Sequence, residues 1–209
     1  MQVQGQVGPL SVTSSIAAGT QAPMRQGNMG EQIISQLYGR YYESNYRRNV
    51  YHAAIAGQVT SVGLTAVHTG LVLSNPVGSP VNLVVLKFGW GFTVVFPAVS
   101  ALGLGIGYNA TTNVTHTAAV TVRSSFVGLG GTGYGLTDSS STMPTAPTLH
   151  TIVGAGLTGA VTTAPTQTGM IDLEGSIILP PGAYLSTYTS TVSGAAAGHF
   201  SFSWQEVPI

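Results

Sequence analysis

Short runs of hydrophobic and polar residues follow one another along the chain after residue 49, and clusters of glycine, proline, serine and asparagine separate them. The runs are rich in valine, isoleucine, leucine, threonine and aromatic residues, which favour strands. They lie at 50–55, 59–64, 71–73, 81–88, 91–95, 102–108, 118–126, 148–153, 170–179, 183–189 and 199–204. No helical period follows residue 45. The pattern predicts an all-β fold of about ten strands, a jelly-roll-like β-sandwich.

The first 48 residues have a different pattern. Residues 1–29 are rich in glutamine, serine, glycine and threonine and show no helical period, which predicts an extended N-terminal arm. From Asn28 a capping box with Glu31 opens a helical pattern that runs to about Tyr42. We therefore expect two parts: an arm with one short helix over 1–48, and a β-sandwich body over 49–209.

The segment 89–108 is apolar over a length that approaches the span of a bilayer. Pro97, five glycines and β-branched residues disfavour a helix there. We expect two buried strands and no membrane association. The first ten residues also lack the basic and apolar regions of a signal peptide.

Charge is scarce, because six basic and six acidic residues among 209 balance to zero. Soluble domains usually carry about a quarter of charged residues. A chain with so few charged residues can remain soluble where other subunits cover its surface. The composition therefore favours a structural component of an assembly over an enzyme. A neutral chain also lacks the basic face that nucleic acid requires. No cysteine is present, so disulfides and thiolate metal sites are excluded.

Tyrosine and arginine are concentrated between residues 38 and 48, a mixture that is typical of protein interfaces. The candidate interface residues are Arg40, Tyr41, Tyr42, Tyr46, Arg47 and Arg48. The alternative is a solvated helix face whose tyrosines pack on the sheet.

Three patterns point weakly to chemistry. Gly154, Gly156 and Gly159 match the dinucleotide fingerprint, but the segment after them is a poor helix, so we expect no cofactor. The five histidines are too dispersed to predict a metal site. Asp172 and Glu174 alternate with apolar residues and would share one face of a strand about 7 Å apart. They support a sugar hydrolase as a minor alternative, although an ion-pair or interface role fits them better, and we expect no catalytic residues.

The segment 128–147 is rich in glycine, threonine and serine and is predicted to be a long exposed loop. Loops at the ends of a sandwich commonly carry recognition. Tyr134 and Met143 are the candidate recognition residues of this loop.

Four segments resemble structural proteins of tailed bacteriophages. They are GRYYESNYRRN at 39–49, TGLVLSNP at 69–76, DLEGSIILPPGAY at 172–184 and FSWQEVP at 202–208. The resemblance follows the same order across residues 39–208, and its motifs are structural. It implies a virion protein, and within that class a capsid cement or decoration protein with a jelly-roll domain.

The sequence therefore predicts a non-enzymatic cement protein. It would assemble in the host cytoplasm, bind the major capsid protein at capsomer junctions on the capsid exterior, and form a homo-oligomer, most simply a trimer. The alternative is a tail or head fibre adhesin that binds a host surface glycan through the loops near Tyr134 and Met143.

Overall fold

The computed structural model describes residues 39–94, 96, 98–128, 132–156, 167–192 and 198–209. One short helix, α1 (Tyr42–Tyr46), precedes the strands. The long strands are β1 (Val50–Ala54), β2 (Val67–Ser74), β3 (Val81–Phe92), β4 (Ser100–Tyr108), β8 (Leu136–Thr142), β9 (Thr148–Gly156), β10 (Gln167–Leu179), β11 (Ala183–Thr189) and β12 (Gly198–Pro208). Three two-residue strands lie between β4 and β8: β5 (Thr115–His116), β6 (Ala119–Val120) and β7 (Arg123–Ser124). By its contacts the chain divides into two units between Tyr42 and Glu43.

The strands form two antiparallel sheets in a sandwich-like arrangement, which confirms the predicted all-β class. The five-stranded sheet has the order β10-β3-β12-β1-β7. The seven-stranded sheet has the order β5-β8-β2-β11-β4-β9, and β6 also pairs with β8. Among the other eight strands, that is without β5 to β8, strands that follow one another along the chain lie in opposite sheets. The one exception is the pair β4 and β9, which are neighbours in the seven-stranded sheet. The chain therefore crosses between the sheets at most of its connections.

The core lies between the two sheets, and the five-stranded sheet supplies most of its aromatic residues. Burial alternates along β12, where Phe200, Phe202 and Trp204 point inward. Phe88 of β3 packs on Phe202 with ring centroids 5.2 Å apart, and the opposite sheet contributes buried leucines such as Leu185. The period of two in the sequence thus decides which face of each strand is buried.

The apolar segment 89–108 forms the end of β3 and the whole of β4, as predicted. No helix in the described part of the chain combines the length and apolar character that a membrane span requires. The predicted helix at 28–42 falls mostly on residues 28–38, which lie outside the described residues. The described helix instead begins at Tyr42. The strand predicted at 59–64 is absent, and Val59 there makes only an isolated bridge to Gly198.

The prediction of one long exposed loop at 128–147 is wrong. Residues 136–142 form β8, which lies between β2 and the short strands β5 and β6. This strand is polar, and backbone groups satisfy the side chains of Thr137, Asp138 and Ser139, whereas the buried Ser141 hydroxyl has no hydrogen-bond partner among the described residues. Asp138, fully buried, accepts the N–H groups of Ala118 and Ser140, and the Thr137 hydroxyl donates to the Val120 carbonyl. Hydrogen bonds, rather than apolar burial, hold this strand in the sheet.

Candidate docking surface

The chain reverses after α1 through a helix C-cap that contains a candidate residue. The N–H of Arg48 donates to the carbonyl of Asn45 at 2.9 Å, and the N–H of Asn49 donates to that of Ser44 at 3.1 Å. These two bonds define a Schellman motif, in which the residue at the Arg48 position adopts a left-handed conformation. Arg48 has φ of 62°, at a position that glycine usually occupies. The left-handed backbone turns the chain directly into β1.

The Arg48 side chain lies on an aromatic ring from a distant part of the chain. Its guanidinium carbon is 5.6 Å from the ring centroid of Phe126, within the range of a cation–π contact. Tyr46 meets the same ring edge-on, with centroids 6.4 Å apart and planes at 62°. We call Tyr46, Arg48 and Phe126 the aromatic–arginine cluster.

Phe126 reaches this position because β7 pairs with β1 at the edge of the five-stranded sheet. His52 lies opposite Arg123, and the N–H of Ser125 extends the ladder by donating to the Val50 carbonyl at 2.8 Å. The ring of Phe126 then follows beside the helix C-cap. No local signal in the sequence could have predicted the contact, because it depends on pairing between distant strands.

Two open grooves flank β7 and share His52 and Arg123. One, of about 460 Å³, is lined by Phe126 and by Val127, whose exposed fraction is 88%. The other, of about 530 Å³, runs along the end of β1 toward β6. In His52, one of the residues that both grooves share, the Nδ1 atom lies 3.3 Å from the Ser125 hydroxyl. The sheet edge thus combines aromatic surface, apolar surface and two arginines.

The other predicted interface residues are placed as follows. Tyr46 and Tyr42 are exposed, at 54% and 43%. Arg47 is also exposed. Arg40 lies over the ring of Tyr41 at 5.9 Å. The structure brings Tyr46 and Arg48 together with Phe126, which the sequence prediction missed.

The two candidate recognition residues have opposite environments. Tyr134 is 52% exposed, in a loop whose base is fixed by the Gly135 N–H donating to Oε1 of Glu206 at 2.9 Å. Burial, then the charges of Glu206 and Tyr134, raise the pKa of the neighbouring Tyr51. Met143 is only 2% exposed, so its predicted exposure is wrong. Its side chain packs in a second apolar cluster with Val72, Val114 and Tyr184.

The prediction that Asp172 and Glu174 lie on one face of a regular strand is also wrong. Asp172 and Glu174 lie at a bulge of β10, where the pairing with β3 shifts register before Ile177. Glu174 has φ of 52° and its N–H donates to the Asp172 carboxylate at 3.0 Å. A regular alternation of side chains therefore does not exist at these two residues.

The other weak patterns have these outcomes. Gly154 lies within β9 and Gly156 is its last residue, so the first glycines of the fingerprint belong to a strand and not to a turn before a helix. Gly159 lies outside the described residues. Among the residues that the structure describes, no three histidine or acidic side chains are grouped to hold a metal ion.

No protein-family model, curated protein or solved structure matches this chain.

Proposed function

We propose that this chain is a capsid cement protein of a tailed bacteriophage, which binds the exterior of the shell and stabilises it. The observation that carries the proposal is the aromatic–arginine cluster on an open sheet edge. Arg48 occupies a left-handed position at which a non-glycine residue costs about 1–2 kcal/mol. Strain of this kind is often found where the side chain has a function.

The fold and composition support the same role. With the small strands and β8 set aside, the sheets read β10-β3-β12-β1 and β2-β11-β4-β9, an order consistent with the double Greek key of a jelly roll. Jelly rolls occur in viral capsid proteins. The scarcity of charge fits a surface that other subunits cover in an assembly.

The mechanism is preferential binding. A cement protein that binds the assembled shell better than free capsid subunits stabilises the shell by mass action, by about 2.7 kcal/mol per site at a hundredfold excess over Kd. Tyrosine and arginine are the residues that most often dominate such interfaces. A trimer at a capsomer junction, in which the arm 1–29 also contacts the shell, completes the proposal.

Co-sedimentation with undecorated shells tests the proposal. We expect wild-type protein to sediment with shells and to raise the temperature at which they open, while Tyr46→Ala binds at least about tenfold more weakly, as a hot-spot residue would. Tyr108→Ala is the matched control, since Tyr108 is a 59% exposed tyrosine at the end of β4 in the other sheet. Equal binding of the two variants would exclude the cluster as the docking site.

Truncation tests the contribution of the arm. Protein lacking residues 1–29 should keep the far-ultraviolet and near-ultraviolet circular dichroism of the body and lose shell binding. Normal decoration by the truncated protein would show that the arm has no role in docking.

The fibre adhesin is the second candidate, and the exposure of Tyr134 favours it. Loss of glycan binding on Tyr134→Ala, with shell stability unchanged, would support the adhesin over the cement protein. The burial of Met143 removes the other residue on which that alternative depended.

A further inference from the structure

Three polar side chains on neighbouring strands of the seven-stranded sheet form a chain of contacts. Ser74 ends β2, His116 ends β5, and Asp138 lies in β8 between them in the sheet. The Ser74 Oγ atom is 3.3 Å from Nε2 of His116. On the other side of the imidazole, Nδ1 is 3.3 Å from Oδ2 of Asp138. This is the order of atoms in a serine, histidine and aspartate triad.

Asp138 is placed to orient the imidazole. Its side chain is fully buried, whereas that of His116 is 22% exposed. The Ala118 N–H donates to Asp138 Oδ1 at 3.0 Å, and the Ser140 N–H donates to the same oxygen at 2.7 Å. These bonds fix the carboxylate with Oδ2 at 3.3 Å from Nδ1, but the contact lacks hydrogen-bond geometry, and Nδ1 has no hydrogen-bond partner among the described residues. A proton held on Nδ1 toward Asp138 leaves Nε2 free to accept the proton of the Ser74 hydroxyl.

The serine and the histidine line a small cavity. Its volume is about 180 Å³, and Val114, Leu136 and Asn113 are also part of its wall. A cavity of about 150 Å³ holds a molecule the size of benzene, so this one has room for an acyl group of a few carbons. Asn113 accepts the Val77 N–H through Oδ1 at 2.7 Å, so its amide NH₂ is the donor group that this wall residue retains.

We propose that Ser74, His116 and Asp138 form a nucleophilic site that hydrolyses esters of short carboxylic acids. The Ser74 oxygen attacks the ester carbonyl carbon while His116 Nε2 takes the hydroxyl proton. Asn113 donates a hydrogen bond to the oxyanion. The bond from carbon to the alcohol oxygen then breaks, and His116 returns the proton to the departing alcohol. Water, deprotonated by His116, attacks acyl-Ser74 and releases the carboxylic acid and free serine.

The Ser74–His116 hydrogen bond is slightly long at 3.3 Å, and the contact between His116 Nδ1 and Asp138 is misaligned, as is common for catalytic groups without substrate. The Ser74 hydroxyl has a second acceptor in the Leu136 carbonyl, which is farther away at 3.5 Å. The site lies in the seven-stranded sheet, whereas the aromatic–arginine cluster lies at the edge of the other sheet. Hydrolysis and shell binding are therefore independent properties, and hydrolysis would replace the non-enzymatic description of this chain.

Acetylation by 4-nitrophenyl acetate tests the proposal on the full chain. After a brief reaction and an acid quench, peptide mass spectrometry should find an acetyl group on Ser74, accompanied by a burst of nitrophenolate. Protein that is unfolded by heat before the reaction should not form this adduct. Ser74→Ala should abolish the burst, and His116→Gln should slow acetylation of Ser74 at least about 100-fold, as expected on removal of a general base.

Ser186→Ala is the matched control, because Ser186 is a buried serine of the same sheet whose hydroxyl donates to the Gly105 carbonyl instead. It should keep the wild-type burst. Absence of acetyl-Ser74 in the folded wild-type protein would overturn the proposal, whatever the variants do. Equal rates in wild type, the His116→Gln variant and unfolded protein would show ordinary hydroxyl reactivity, and the three residues would then serve only to tie β2, β5 and β8 together.

Discussion

Replacing Arg48 by glycine and by alanine distinguishes two contributions to stability: the strain of the left-handed backbone at the helix cap, and the contact that the Arg48 side chain makes. Both variants lose the contact with Phe126, which is worth about 0.5–1 kcal/mol at a partly exposed site. Alanine keeps the steric cost of φ at 62°. Glycine removes that cost of about 1–2 kcal/mol, against an entropic penalty of about 0.5–1 kcal/mol in the unfolded chain.

The expected order of stability follows from these terms. Arg48→Ala should be about 0.5–1 kcal/mol less stable than wild type, and Arg48→Gly should lie about 0.5–1 kcal/mol above the alanine variant, close to wild type. Urea unfolding followed by tryptophan fluorescence measures the difference, because Trp204 is fully buried. An alanine variant as stable as the glycine variant would refute the left-handed cap.

Shell binding gives the second half of the test. Both variants should bind shells more weakly by the same factor, about fivefold for each kcal/mol of lost contact. The glycine variant is decisive, because it combines wild-type stability with loss of the guanidinium. If it decorates shells as well as wild type does, Arg48 has no part in docking.

Three further outcomes are expected. Burial lowers the pKa of His68 from 6.5 to about 4, so its imidazole binds a proton less readily in the folded chain than in the unfolded chain. The contribution of His68 to stability should therefore be constant above pH 6.5 and fall by roughly 1.4 kcal/mol per pH unit from there to about 4. Since neither ring nitrogen has a hydrogen-bond partner among the described residues, His68→Leu should remove this contribution and flatten the slope in urea titrations at several pH values. Gly182→Ala should lower the thermal midpoint far more than Gly78→Ala, because both have positive φ but only at Gly182 would a Cβ meet the Asn109 carbonyl; equal effects would contradict the close approach. Shell binding should weaken as salt is raised from about 0.05 to 0.5 M, because salt screens exposed charges. Co-sedimentation that is the same at both salt concentrations would exclude a role for the arginines.

The strands were predictable wherever burial alternates with a period of two. In β12 every second residue from Phe200 to Trp204 is a large buried aromatic, and the predicted strand at 199–204 falls within Gly198–Pro208. The strand β8 was not predictable in this way. Its sequence, LTDSSST, has the composition of a loop. It forms a strand by pairing with β2, and backbone groups of the distant residues Ala118 and Val120 satisfy several of its polar side chains.

The candidate site was predictable in part. The density of tyrosine and arginine indicated Tyr46 and Arg48, since interface composition is a local property of the chain. Phe126 was not indicated, because its place beside Arg48 depends on the pairing of β7 with β1. The pairing of Ser74, His116 and Asp138 has the same origin in strand order. A bulge caused the error at Glu174, where two successive left-handed residues, Glu174 and Gly175, break the alternation on which the carboxylate pair rested.

The formal neutrality of the chain conceals an uneven distribution of charge. Two of its six acidic residues, Asp138 and Glu206, are buried and accept backbone N–H groups, so their carboxylates do not face the surface. Arg48 and Arg123 lie instead around the open edge formed by β7. No carboxylate is among the described residues that line the two grooves at that edge. Since complementary charge guides association, a shell surface that this edge contacts should present carboxylates beside apolar residues.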